Sequence, residues 1–153
     1  MLACGLSETY TYSFTGKKVF DKINLPSDSK LRDAVVISNP LGEDFKIMRT
    51  TTIPDMLDVI SRNYNRRVEE ARFFELSHVY FNEKPDYSSD NSSAGNKAAK
   101  GLPENTGNIY ENEKLGKLPY QEQILTIGMY GNTDFYELKG IVEELMDSLV
   151  IKE

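Results

Sequence analysis

Between Val35 and Phe81 the hydrophobic pattern switches from strand-like to helix-like and back to strand-like with no linker between the segments, and this stretch constrains the fold more than any other. Val35-Val36-Ile37 is a β-branched run that reads as a short buried strand. The Asn39-Pro40-Leu41-Gly42 turn stops it, because Pro40 presets φ for a turn and Gly42 relaxes the exit. Pro54 then opens a helix at a position where its missing N–H costs nothing, and Asp55 and Asp58 complement the positive end of the helix dipole. Ile53, Met56, Leu57, Ile60 and Tyr64 recur at helical spacing down to about Arg67, and Arg62, Arg66 and Arg67 crowd the end where cations are favoured. Arg72 to Phe81 follows, dense in aromatic and β-branched residues, as a strand buried on at least one face.

The flanks add weaker elements. Met1 to Cys4 reads as the tail of a helix ended by Gly5. Tyr10, Tyr12 and Phe14 alternate with Thr9, Thr11 and Ser13, which predicts a strand with aromatic side chains on one face and hydroxyls on the other, as in an antiparallel sheet with one covered face. Val19, Phe20 and Ile23 predict a short helix after Gly16. From about residue 84 to 118 the chain is rich in Ser, Asn and Gly with little to bury, and it reads as a flexible insertion between two hairpin strands. Gln123 to Tyr130 is a further strand. Asp134 with Glu137 resembles a capping box that opens a helix striped by Phe135, Leu138, Val142, Leu145 and Leu149. Strands in runs, with helices unevenly placed among them, predict an α+β fold with a mostly antiparallel sheet, all within one domain spanning 1–153.

Composition excludes several classes. With Lys plus Arg at 18 and Asp plus Glu at 24, the formal charge of −6 makes the chain as a whole a poor partner for nucleic acid. The lone Cys4 excludes an internal disulfide and a zinc cluster, and reads as an inert residue in a reducing compartment. No apolar run approaches the roughly 20 residues of a membrane span, and Met1 to Cys4 lacks a basic start, so a cytoplasmic location is expected.

The series Asn39-Pro40-Leu41, Met48-Arg49-Thr50 with Ile53-Pro54-x-Met56-Leu57, Arg62-Asn63-x-Asn65-Arg66 and Phe73-Phe74-Glu75-Leu76 resembles the catalytic-like core of the β subunit family of bacterial phenylalanyl-tRNA synthetase. Gly5-Leu6-x-Glu8-x-Tyr10-Thr11-Tyr12-Ser13-Phe14 and Asp134-Phe135-Tyr136-Glu137-Leu138-Lys139-Gly140 extend the likeness over nearly the whole chain. The resemblance implies a class II aminoacyl-tRNA synthetase-like, mostly antiparallel sheet flanked by helices, here as an internal fragment of a longer β chain. It further implies an assembly of two α and two β chains in which α is catalytic and ATP and Mg serve the holoenzyme. tRNA would be contacted mainly through other regions, with no membrane involved. The Asn39-Pro40 turn, Arg49, Asn63, Arg67 and Glu75 become candidates for subunit contact or for internal structure, with no catalytic, cofactor-binding or metal residue expected in the chain itself.

Class II synthetases use an Arg-x-Glu pair on a strand, the Arg neutralising the α-phosphate in the transition state. Here the position two before Glu75 is Phe73, and Arg72 lies three away, so a regular strand points it to the opposite face. A working clamp would require a bulge. Glu75 then reads as a hydrogen-bond acceptor at the sheet surface, and His78, with no metal-ligating partners at a suitable spacing, as a structural histidine. Three functions remain to weigh: a non-catalytic scaffolding domain, a self-contained ligase that needs the missing clamp, and a nucleic-acid-binding module that needs a basic face.

Overall fold

The computed structural model describes residues 1–85 and 118–149. The elements in order are β1 (Ser7–Glu8), β2 (Phe14–Thr15), α1 (Lys18–Lys22), β3 (Ile47–Met48), α2 (Ile53–Asn65), β4 (Ala71–Phe81), β5 (Tyr120–Tyr130) and α3 (Phe135–Ser148), with short 3-10 turns at Leu2–Cys4, Lys30–Arg32 and Glu43–Phe45. The expected insertion at 84 to 118 falls almost wholly outside the described residues.

The main sheet has the order β1-β4-β5. β4 and β5 pair antiparallel in unbroken register from Ala71 opposite Tyr130 to Phe81 opposite Tyr120. β1, however, runs parallel to β4, Ser7 against Phe73 and Glu8 against Phe74. The α+β class holds, but the sheet is mixed rather than mostly antiparallel, because β1 approaches β4 from the 3-10 turn at Leu2–Cys4 instead of through a hairpin.

Alternation along β4 sorts the two faces of this sheet. Phe74 joins Leu6 and Ile141 of α3 in one core, with Met1, Cys4, Leu125, Ile127 and Met129 packed around it. Glu75, Ser77 and Val79 bury themselves on the other face, where α2 lies. The approach there is close: a Cβ on Gly128 would stand 2.6 Å from Met56 Cγ and 2.8 Å from Ile60 Cδ1. The hydroxyls of Thr52 and Thr126 hydrogen-bond across the same contact. A second small core forms under α1 from Phe20, Ala34 and Ile47.

Local signals explain the helix ends. Gly5 takes φ 78° and closes the Leu2–Cys4 turn, as its position predicts. Asp134 caps α3 by accepting from the Glu137 amide at 2.9 Å. The reciprocal half of the capping box is replaced, since the Glu137 carboxylate pairs with Arg72 at 2.7 Å.

Three expectations need correction. Val35 to Ile37 is an edge and not a buried strand: Val36 is 65% exposed and makes a single bridge to Ile47. Ile47 lies between Val36 and Thr15 and so takes the interior. The predicted strand from Tyr10 to Phe14 is extended chain that becomes strand only at Phe14, and its aromatic face points outward, with Tyr10 at 92% and Tyr12 at 75% exposure, while the hydroxyl face turns in. On α3 the buried residue is Ile141, while Phe135, Val142 and Leu149 of the predicted stripe stay exposed.

Candidate functional site

The densest polar constellation lies where the segment after β1, the strand-to-helix turn after β3 and the middle of β4 meet. Its centre is Arg49, 2% exposed, against Glu75, 1% exposed, with Arg49 Nη2 at 3.2 Å from Glu75 Oε1. Two buried opposite charges persist only if their remaining donors and acceptors are satisfied, and here they are. Arg49 Nε donates to the His78 carbonyl at 3.0 Å, and Nη1 donates to Thr11 Oγ1 at 2.7 Å and to Asp55 Oδ2 at 3.2 Å. Glu75 accepts from the Thr11 amide at 3.2 Å and from its hydroxyl at 2.8 Å. Thr11 thus accepts from the cation and donates to the anion. The Arg49 backbone is pinned as well, its N–H to Ser13 and its carbonyl to the Tyr80 N–H, both at 2.9 Å.

This explains the outward-facing aromatics of the first segment. A carboxylate buried as deeply as Glu75 needs donors, and Thr11 provides them only if the threonine side faces inward; Thr9 does the same for the Phe74 carbonyl. Asp55 stands at the start of α2 in the same cluster. Burial pushes its carboxyl above the ordinary range, outweighing the hydrogen bond and charge of Arg49, which pull the other way.

The register of β4 is regular, so no bulge brings Arg72 round to the Glu75 side. Arg72 instead pairs with Glu137 of α3 on the opposite face. The space beside Arg49 and Asp55, bounded by Thr15, Val19, Phe20, Thr50, Thr51 and Pro54, is closed to a molecule the size of water. What the cluster can do is fix three chain segments to one another. It presents no free cation to a ligand.

The chain matches the family model described as the phenylalanyl tRNA synthetase beta chain CLM domain over residues 1–153. The chain belongs to this phenylalanyl-tRNA synthetase β chain family. It is 40% identical to the phenylalanine–tRNA ligase beta subunit of Clostridium acetobutylicum over 153 residues, which is all of this chain and 16% of that protein. The corresponding subunit of Clostridium tetani is 39% identical over the same span, again 16% of its length, and that of Symbiobacterium thermophilum 30% identical over 15% of its length. The chain therefore spans about a sixth of the curated β subunits it matches.

Within this β-chain domain the six residues singled out from sequence do not form one site. Arg49 and Glu75 meet, as above, and Glu75 is a buried acceptor rather than one at the sheet surface. Asn39 and Pro40 are exposed on the turn between the Val36 edge and β3. Asn63 is half-buried and donates from Nδ2 to the Val59 carbonyl at 2.9 Å, one turn back on α2. Arg67 is exposed just past that helix, at φ 62°. His78 is also exposed, and its carbonyl, not its ring, serves the cluster. Sequence reasoning missed Thr11 as a participant and saw Asp55 only as a complement to the helix dipole. The signal for Thr11 was present, since a glutamate inside an aromatic strand requires donors from a neighbouring segment.

Proposed function

We propose that the chain is a non-catalytic, class II synthetase-like core domain of a phenylalanine–tRNA ligase β subunit. It is a scaffold that packs against the catalytic α subunit in a cytoplasmic assembly of two α and two β chains. That assembly attaches phenylalanine to its tRNA with ATP and Mg, and tRNA is contacted mainly through other regions of the β chain. The observation that carries this reading is the closed Arg49–Glu75 pair. On the strand where a class II enzyme would hold a phosphate, the only carboxylate on the α2 side of β4 is neutralised from within the domain.

The polar candidates left for a partner lie at the two ends of the β3–α2 stretch, each beside exposed apolar side chains, Leu41 at one end and Tyr64 at the other. Asn39 and Pro40 stand exposed before it, and Arg67 after it, while Arg49 is committed to the interior. The test is titration of the full-length β subunit with α by sedimentation. Arg67→Ala and Asn39→Ala are expected to weaken assembly by about tenfold, about 1.4 kcal/mol, with unchanged melting of the β chain alone, while Lys18→Ala leaves assembly untouched. Equal affinities for all three variants would remove these residues from the contact.

A further inference from the structure

We draw no further inference here: the strongest candidate, the exposed aromatic patch on the first segment where the Tyr12 ring meets Phe45 edge to face, is an unpartnered apolar face, and nothing in the structure shows what covers it.

Discussion

Arg49 and Glu75 stabilise the domain only as a pair. Removing one partner of a buried ion pair leaves an uncompensated charge and costs about 3–5 kcal/mol, whereas replacing both with apolar groups of similar size is often neutral or better. Arg49→Ala should therefore lower the unfolding free energy by about that amount in urea titrations, and the double variant Arg49→Met with Glu75→Leu should recover most of the loss. If the two single losses simply added, the pair would not be coupled. Asp55 gives a pH dependence of determined sign. Its carboxyl is raised above the ordinary 3.8, so the folded chain binds that proton more readily than the unfolded chain does. Its ionised form costs stability at neutral pH, and the cost is relieved as pH falls through the folded value toward 3.8. Compared with Asp55→Asn, which cannot titrate there, the wild type should gain relative stability as pH is lowered from neutrality into that window. A relative loss on acidification would show that Arg49 holds the carboxyl down instead.

At the scale of elements, β5 and α2 are joined through a glycine. Gly128→Ala places a methyl inside contact distance of Met56 and Ile60, and overpacking of this kind costs about 1–3 kcal/mol. A thermal melt of that variant is expected to show a clear drop, and an unchanged melting temperature would mean that α2 rides loosely on the sheet. The long elements were legible because their signals are local. Pro54 and the helical spacing after it located α2, the aromatic density of residues 72 to 81 located β4, and Asp134 located the start of α3. What stayed hidden depended on distant partners. Whether the Tyr10-Tyr12 side or the Thr9-Thr11 side faces inward is undecided by alternation alone. It is settled by Glu75, more than sixty residues away in sequence, whose carboxylate bonds Thr11. Likewise Ile47 outranks Val36 because it is the middle of a three-chain ribbon, and β1 runs parallel because of how the Leu2–Cys4 turn delivers it.

For the molecule as a whole, the motif series that suggested a β-chain domain survives as a set of packing devices. Asp55 opens α2 and bonds Arg49, Arg49 ties that region to β4, and Glu75 turns the first segment's threonine inward. The absence of a cation two residues before Glu75 was readable from the sequence. That the glutamate would be occupied from within was not, because Arg49 reaches it from 26 residues upstream on another segment. On the proposed function, this neutralised strand leaves the domain catalytically silent. Phenylalanine-dependent exchange of pyrophosphate into ATP, measured on the pure 153-residue chain with Mg, tests it most directly. Exchange is expected to stay at background, unchanged by phenylalanine; exchange that rises with phenylalanine and saturates would show a working adenylation site.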